Sequence, residues 1–241
     1  MKGKKELVRR LNKSLYGLKQ SPRMWYHKFD TYIQGLGFTK RKAYHCVYFK
    51  SIGDRVIYLV LYVDDILLNG NDKEIIQDLK TQLSSKFDMK DIGAANYIFG
   101  MEIKHDWEKR KLWLNQRKHV ETILQRSNMR DSKLVKVPIH VGVKLSIEQC
   151  PKAQEEEEDM SHVPCASEIG SLMYTMVFTR PYIAHAMGVL SRFMSKPGKE
   201  HWTIVKWVFR YLHGNGNHGL CYQGRPGLDI ILDICVFVDA Y

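Results

Sequence analysis

The chain has 241 residues, of which 44% are hydrophobic and 11% aromatic, and this composition can build a core and excludes a wholly disordered chain. The formal net charge is +11, and residues 1–50 hold 13 lysines and arginines against only two acids, Glu6 and Asp30. Such a basic block either attracts phosphate backbones or forms an ordinary solvated face, and both interpretations stay open.

Membrane and disulfide-rich classes are disfavoured. The longest apolar run, residues 56–63, is far shorter than the ~20 residues that span a bilayer, and no apolar signal segment follows Met1. The five cysteines form no CxxC pair and are odd in number, which argues against a zinc knuckle or a disulfide framework and fits a reducing compartment.

The first part of the chain alternates helix and strand patterns. Residues 24–36 have apolar side chains at helical spacing, and Gly35 and Gly37 predict the end of that helix. Residues 46–49 and 55–63 are rich in β-branched and aromatic side chains, and 66–68 are apolar again. The pattern predicts a hairpin with carboxylates at its turn. Residues 72–87 have one apolar helical face, for which Asp72 is the expected N-cap.

The rest of the chain contains shorter elements. Strands are predicted at 96–104 and 111–115, and a helix at 116–128 with Val120, Ile123 and Leu124 facing inward. Residues 148–163, which include four consecutive glutamates, lack an apolar period and are interpreted as a solvated linker. Helices follow at 166–178, 182–194 and 199–213, then strands in 219–241 broken at 224–227. His201 and His213 are interpreted as residues on polar helix faces rather than metal ligands.

The pair Asp64-Asp65 is the candidate catalytic and metal-binding site. Buried carboxylates are costly unless they are paired or bind a metal ion, and aspartates suit Mg²⁺, with Mn²⁺ as the alternative ion. Two such ions can hold the attacking and leaving oxygens of an in-line displacement. Because neighbouring strand residues point to opposite faces, Asp64 receives the primary role and Asp65 the secondary one. On its own, an Asp-Asp pair favours a purely structural turn over a metal site, and it is the flanking Tyr62-Val63 and the apolar strand on each side that favour the metal site.

Blocks of residues recur in a known order along the chain. They are Leu15-Tyr16-Gly17-Leu18-Lys19-Gln20-Ser21-Pro22-Arg23, Tyr62-Val63-Asp64-Asp65-Ile66-Leu67-Leu68, Phe87-Asp88-Met89-Lys90-Asp91-Ile92-Gly93, Phe99-Gly100-Met101-Glu102-Ile103, Gly170-Ser171-Leu172-Met173-Tyr174, Thr179-Arg180-Pro181 and Ser191-Arg192-Phe193-Met194. In this order, and over nearly the whole chain, they resemble a copia-type retrotransposon reverse transcriptase. The first resembles a polymerase block and the second the metal-binding block, while the last three resemble the region leading towards ribonuclease H.

The resemblance implies an RNA-directed DNA polymerase with specific contacts. Lys19 and Arg23 would meet phosphates, Gln20 would contact the nucleotide, and Tyr62 would lie with them at the nucleotide or template. Ordinary surface charge is an equal alternative for the two cations. The implied partners are an RNA or DNA primer–template, deoxynucleotides and an upstream polyprotein segment, in a cytoplasmic particle or the nucleus and not at a membrane.

The chain also departs from the family pattern. The family has a third catalytic carboxylate on an upstream strand, whereas the only acid here before the first block is Glu6, in a stretch unlike that strand. The fingers region is also missing, and we expect this chain alone to polymerise poorly or not at all. Asp239 resembles the first acid of a ribonuclease H strand, but nuclease activity is not expected. Tyr182 stands where the family usually has an acid.

The expected architecture is α+β. It comprises a partial reverse-transcriptase palm with thumb-like helices at 1–147, an acidic linker at 148–163, a helical connection region at 164–218 and a truncated ribonuclease H-like start at 219–241. The alternatives to a polymerase are a non-catalytic nucleic-acid-binding remnant and a purely structural piece with an exposed sheet edge.

Overall fold

The computed structural model describes Leu15, residues 17–223 and, for the backbone alone, residues 231–237. The sequence features at Glu6, Tyr16, 224–227 and 238–241 lie outside this part. The chain divides into two compact units, one formed by Met1–Ala95 with Arg225–Tyr241 and the other by Asn96–Gly224. Both units mix helices and strands, which confirms the α+β class. Within the described residues, no helix combines the length and apolarity needed to cross a bilayer.

The elements follow one another in this order. The first are α1 (Ser21–Gly35), β1 (Thr39–Lys40), β2 (Val47–Ile52), β3 (Arg55–Tyr62), β4 (Asp65–Gly70), α2 (Lys73–Lys86) and β5 (Met89–Ala94). The next are β6 (Tyr97–Ile98), β7 (Met101–Asp106), β8 (Lys111–Asn115), α3 (Arg117–Arg126), α4 (Gln154–Ser161), α5 (Cys165–Phe178), α6 (Ala184–Leu190), α7 (Lys199–Gly214), β9 (Leu220–Gln223) and β10 (Ile231–Phe237). Short 3-10 turns lie at Ile147–Gln149, Pro181–Ile183 and Ser191–Phe193.

The first unit is built on a six-stranded sheet in the order β1-β2-β3-β4-β10-β5. All neighbouring strands are antiparallel. The terminal strand β10 therefore lies between β4 and β5, which are consecutive strands in the chain. As both neighbours are antiparallel to β10, β4 and β5 run parallel to each other.

The core of the first unit follows from strand alternation. In β3, Ile57, Leu59 and Leu61 are buried while their neighbours are exposed or half-buried, as expected when alternate side chains face opposite sides. They share one cluster with buried side chains of α1 and α2, so both helices cover the same face of the sheet. The Asp72 carboxylate caps α2 by accepting hydrogen bonds from the backbone N–H groups of Glu74 and Ile75, at 2.8 and 3.2 Å, which confirms the predicted N-cap.

The second unit combines the antiparallel sheet β6-β7-β8-β9 with helices α3 to α7. Its core gathers the apolar faces of α3, α5, α6 and α7, including Val120, Ile123 and Leu124 as predicted. Helices α3 and α5 are joined by Arg126, which contacts the buried Glu168 carboxylate through Nε at 3.2 Å and Nη2 at 3.1 Å.

Three features differ from the sequence interpretation. Strand β5 was not expected, because Met89–Ala94 has neither an apolar run nor alternation. The stretch 148–163 was interpreted as a solvated linker, but its residues Gln154–Ser161 form the helix α4 of the second unit. The lack of an apolar period therefore indicates a surface helix here. His201 is fully buried and does not lie on a polar helix face, as the sequence had suggested. Its Nδ1 accepts a hydrogen bond of 2.9 Å from the backbone N–H of Gly198 at the start of α7.

Candidate active site

The two candidate aspartates lie at the tip of the β3–β4 hairpin. Tyr62 and Asp65 are opposite each other in the register, so Val63 and Asp64 form the two-residue turn. The predicted hairpin with carboxylates at its turn is therefore confirmed in its geometry. Asp65 is the first residue of β4, and the next residue, Ile66, is fully buried. Strand alternation thus places Asp65 and its exposed partner Tyr62 on the face of the sheet away from the helices.

The turn itself is strained. Val63 has a φ of +52°, in the left-handed region that β-branched residues rarely adopt, and its side chain is exposed. Two-residue hairpin turns favour positive φ at their first central residue because that twist matches the flanking strands. Glycine or asparagine would meet this demand at lower cost. Strained backbone of this kind is concentrated at functional sites, so it marks the turn as a candidate for function.

The carboxylate pair has the electrostatics of a cation site. Oδ1 of Asp64 is buried and has no hydrogen-bond partner among the described residues. Burial raises the pKa of Asp65, and the negative charge of Asp64 raises it further. A bound cation would neutralise both charges and give the buried oxygen a partner, so these residues fit a divalent ion with hard oxygen ligands.

The described residues offer the ion few further ligands. No group of three or more histidine, cysteine, aspartate or glutamate side chains comes together in residues 15 and 17–223. Among the described residues, Asp64 and Asp65 are thus a carboxylate pair that is not part of any such larger group.

The polymerase-like block around Lys19 begins α1. Leu18 and Ser21 donate backbone N–H groups to Leu15 O and Leu18 O, at 3.3 and 3.0 Å, and the hydroxyl of Ser21 also donates to Leu15 O at 2.6 Å. Ser21 is buried by this turn, whereas Lys19, Gln20 and Arg23 are exposed. The turn thus fixes the backbone while it leaves these polar side chains facing solvent.

The contacts behind this block come from residues that the sequence interpretation did not assign to the site. Asp30 in α1 accepts a hydrogen bond from Tyr48 at 2.7 Å and pairs with Lys40 at 2.9 Å, and Tyr48 Oη lies 3.2 Å from Tyr26 Oη. Burial raises the pKa of Asp30, but the hydrogen bond from Tyr48 and the contact with Lys40 outweigh burial and hold it below its ordinary value. Asp30 was visible in the sequence as a lone acid in a basic stretch.

This network joins the helix to the sheet and uses part of the basic block. Lys40 forms an ion pair with Asp30 and lies over the Tyr26 ring, and Lys50 donates a hydrogen bond to Leu36 O at 2.7 Å. The same helix surface includes Trp25, which stacks on Phe29 at 5.4 Å between ring centroids. Trp25 and Tyr26 are half-buried and pack against the core of the first unit. Not every cation of residues 1–50 is available to a phosphate backbone.

The structure does not join all the predicted site residues into one contact network. Asp64 and Asp65 are adjacent at the turn, and Tyr62 precedes them. Among the described residues, no hydrogen bond or ion pair connects Lys19, Gln20 or Arg23 with either aspartate. The two groups share the first unit, in which the α1 core residues pack on the sheet that carries the turn.

Comparison with known proteins identifies the family. The family described as Reverse transcriptase (RNA-dependent DNA polymerase) matches residues 1–141, which is more than half of the chain. No solved structure matches.

Curated relatives extend the similarity through the second unit. The chain is 52% identical, over 92% of its length, to the Retrovirus-related Pol polyprotein from transposon TNT 1-94 of Nicotiana tabacum, and 36% identical, over 91%, to that from transposon RE1 of Arabidopsis thaliana. It spans only 17% and 14% of these two proteins. It is also 34% identical, over 72% of its length, to an uncharacterized mitochondrial protein of Arabidopsis thaliana, of which it covers 68%. The chain therefore belongs to the reverse transcriptase family and corresponds to a segment of the Pol polyproteins of copia-type retrotransposons.

Proposed function

We propose that the chain carries the metal-binding turn and part of the template-binding surface of an RNA-directed DNA polymerase. In this proposal the sheet of the first unit is palm-like, and the helices of the second unit belong to thumb-like and connection regions. The proposed ribonuclease H-like start at 219–241 contributes its strand β10 to that palm-like sheet, between β4 and β5. The observation that carries the proposal is the buried, unpartnered Oδ1 of Asp64 beside the raised pKa of Asp65 at a strained turn.

Asp64 and Asp65 would hold Mg²⁺, or Mn²⁺ in its place. The ion would supply electrostatic stabilisation of the phosphate oxygens as a nucleotide joins a primer 3′-hydroxyl. The residues contribute a rigid position for the ion, because the hairpin is anchored by the buried Leu61 and Ile66 on either side of the turn. Tyr62 would lie beside the nucleotide, and Lys19, Gln20 and Arg23 would contact nucleotide or template.

Two carboxylates make a weak site. A two-metal arrangement needs ligands around both ions, and a misplacement of about 1 Å can cost ~10²-fold in rate. We propose that residues 1–241 bind primer–template and a divalent cation but extend a primer slowly or not at all. The second candidate, a nucleic-acid-binding module without turnover, is favoured by the lack of a third acid in the described residues near the turn.

Metal binding tests the carboxylate pair directly. Mn²⁺ affinity is measured by electron paramagnetic resonance for the unchanged chain, for Asp64→Asn and for Asp78→Asn, an exposed acid of α2 as the matched control. We expect Asp64→Asn to weaken binding at least about tenfold, since even groups that only orient a metal ligand are worth about 10–100-fold. Affinity should also fall with decreasing pH, beginning above the ordinary carboxylate range of about pH 4, because the pKa of Asp65 is raised.

Equal Mn²⁺ affinity in the Asp64→Asn and unchanged chains would reject the metal-binding turn. Primer extension on an RNA template with Mg²⁺ or Mn²⁺ then separates the two candidate functions. Extension that disappears in Asp64→Asn would establish the polymerase and reject our expectation of inactivity, whereas binding without extension would support the module.

Salt-dependent binding tests the polar residues at the start of α1. Fluorescence anisotropy of a labelled primer–template is followed across a salt series for Arg23→Ala, with the exposed Lys73→Ala of α2 as control. If Arg23 meets a phosphate, its loss should weaken binding on all sequences alike and reduce the slope of log affinity against log salt by about 1. If the slope of log affinity against log salt is the same for the Arg23→Ala and unchanged chains, Arg23 does not contact a phosphate.

A further inference from the structure

A polar cluster is buried where three connecting segments of the second unit meet. Thr179 and Arg180 follow the last residue of α5. Gln116 lies between β8 and α3, and Gly216 lies between α7 and β9. The side chains of Thr179, Arg180 and Gln116 are hidden from solvent, with exposed fractions of 1%, 0% and 0%. Because buried polar groups are costly without hydrogen bonds, each donor in this cluster needs an acceptor.

The directions of the hydrogen bonds follow from Arg180, since a guanidinium group can only donate. Its Nη1 donates to Thr179 Oγ1 at 3.0 Å and to Thr179 O at 3.4 Å, and its Nη2 donates to Gly216 O at 3.1 Å. The Thr179 hydroxyl thus accepts from the guanidinium and donates its own hydrogen to Gln116 Oε1, at 2.7 Å. The oxygen of the Gln116 amide is therefore used by Thr179, and its NH2 group needs a different partner.

Two buried donors of this cluster lack an acceptor. Arg180 Nε and Gln116 Nε2 are both buried, and neither has a hydrogen-bond partner among the described residues. The side chains that carry them are joined through the hydroxyl of Thr179, so both donors belong to one cluster. The side-chain oxygen of the adjacent Asn115 bonds to neither of them. A donor that loses its hydration without gaining an acceptor is unfavourable, and more so when it is charged.

The cluster also carries a positive charge that no carboxylate balances within the described residues. Burial lowers the pKa of Arg180, and the electrostatic influence that opposes burial comes from the phenol of Tyr182 and not from an acid. Buried charges are stable when an opposite charge accompanies them. A water molecule would accept hydrogen bonds from both donors but would leave the charge, whereas an anion would accept the same bonds and neutralise Arg180.

Complete burial limits the kind of anion that fits. A nucleic-acid phosphate or a carboxylate of another protein is attached to a larger molecule and does not reach side chains that are fully hidden from solvent. A free oxyanion brings several oxygens, more than the two donors can satisfy. We propose that the Arg180–Gln116 cluster is a binding site for one halide ion, with chloride as the occupant, held by Arg180 Nε and Gln116 Nε2. The ion stabilises the point where the β8–α3, α5–α6 and α7–β9 connections meet.

The dependence of stability on chloride tests the site in the full chain. Urea unfolding is followed by tryptophan fluorescence over a series of sodium chloride concentrations, with sodium gluconate holding the ionic strength constant, because gluconate is too large for a buried site. A ligand that binds only the folded chain lowers the unfolding equilibrium constant by the factor 1 + [ligand]/Kd. We therefore expect this constant to fall about tenfold once the chloride concentration is about ten times its Kd.

A matched pair of variants locates the effect. Gln116→Glu keeps an oxygen for Thr179, removes the Nε2 donor and places a carboxylate beside Arg180, so the stability of this variant should no longer depend on chloride. Gln125→Glu makes the same change of charge at an exposed position of α3 and should respond to chloride as the unchanged chain does.

Each outcome decides for or against the halide site. Stabilisation by chloride of the unchanged and Gln125→Glu chains, lost in Gln116→Glu, supports it. Equal stabilisation of all three chains shows a general salt effect, and no response of the unchanged chain shows that water or neutral groups satisfy Arg180; either result overturns the proposal. If Gln116→Glu does not fold, crystals of the unchanged chain grown with bromide decide instead. An anomalous-scattering peak beside Arg180 Nε supports the site, and its absence overturns it.

Discussion

The environment of Arg180 is the most unusual one for a charged side chain in this protein. Its side chain is fully buried, and its guanidinium donates to three neutral acceptors, namely Thr179 Oγ1 at 3.0 Å, Gly216 O at 3.1 Å and Thr179 O at 3.4 Å. Its Nε is buried without a partner, and no carboxylate pairs with it among the described residues. Burial lowers the pKa of Arg180, which Tyr182 partly offsets. A buried cation without a counter-charge lowers the free energy of unfolding.

Replacing Tyr182 by aspartate should supply the missing charge. Tyr182 is partly exposed and packs edge-on against Tyr211, so any replacement loses that contact. The matched variant Tyr182→Asn loses it equally but adds no charge. We expect the free energy of unfolding near neutral pH to be about 2 kcal/mol higher for Tyr182→Asp than for Tyr182→Asn, because a hydrogen bond to a charged group contributes about that much.

Urea unfolding followed by tryptophan fluorescence measures this difference, since four of the five tryptophans lie in the second unit. Equal stabilities of the two variants would show that a carboxylate at position 182 does not reach Arg180. The same comparison at a pH low enough to protonate aspartate should abolish the difference, because only the ionised form pairs.

Helix pairing in the second unit depends on one ion pair more than on the other charged contacts. The Glu168 carboxylate in α5 is buried, while Arg126 of α3 is half-exposed and also donates to Ser171 Oγ at 2.7 Å. The pairs Lys196–Glu157 and Lys199–Asp159, by contrast, join exposed side chains. Exposed pairs are worth little, whereas removal of one partner from a buried pair leaves a desolvated charge.

Arg126→Met should destabilise the second unit by about 3 kcal/mol, the low end for a broken buried pair because Arg126 itself is half-exposed. The double variant Arg126→Met with Glu168→Gln should recover part of this loss, since the glutamine leaves no buried charge. Lys199→Met is the matched exposed control and should cost less than about 1 kcal/mol. A double variant no more stable than Arg126→Met would show that packing, rather than charge, explains the loss.

On the scale of the whole molecule, three histidines make stability depend on pH. His105, His119 and His201 all belong to the second unit, and burial lowers the pKa of each below its ordinary value of 6.5. The unfolded chain therefore binds protons more readily than the folded chain below about pH 6.5. The stability contributed by the neutral imidazoles is present above that pH and is lost as the pH falls through the lowered pKa values.

The contribution of His201 can be isolated by His201→Gln, which keeps a hydrogen-bond acceptor but cannot be protonated. Unfolding free energies of both chains, measured from about pH 7 to about pH 5, should decline more steeply for the unchanged chain. Replacement of His162, an exposed histidine with no described role in the core, should leave the slope unchanged. Parallel declines in the His201→Gln and unchanged chains would contradict this account.

Periodicity and local chemistry were sufficient to predict most elements and the acidic turn. Helices with an apolar stripe, such as α2 and α3, and the hairpin around Asp64 depend on side chains close in sequence. Strand β5 could not be predicted because Lys90, Asp91 and Gly93 give it no strand pattern, and its strand conformation comes from pairing with β10. The buried Oδ1 of Asp64 is likewise invisible in sequence, since burial of a turn depends on remote segments.

The interior position of β10 also has a consequence for the order in which the protein is made. The ribosome synthesises β4 and β5 early, yet the strand that pairs with both emerges only after the whole second unit. At about 5–20 residues per second, that delay is on the order of ten seconds. During this interval the facing edges of β4 and β5 are without β10, and unpaired strand edges are targets for chaperones and for aggregation. Of the two units, the one whose β4 and β5 are translated earlier is thus the later to receive β10.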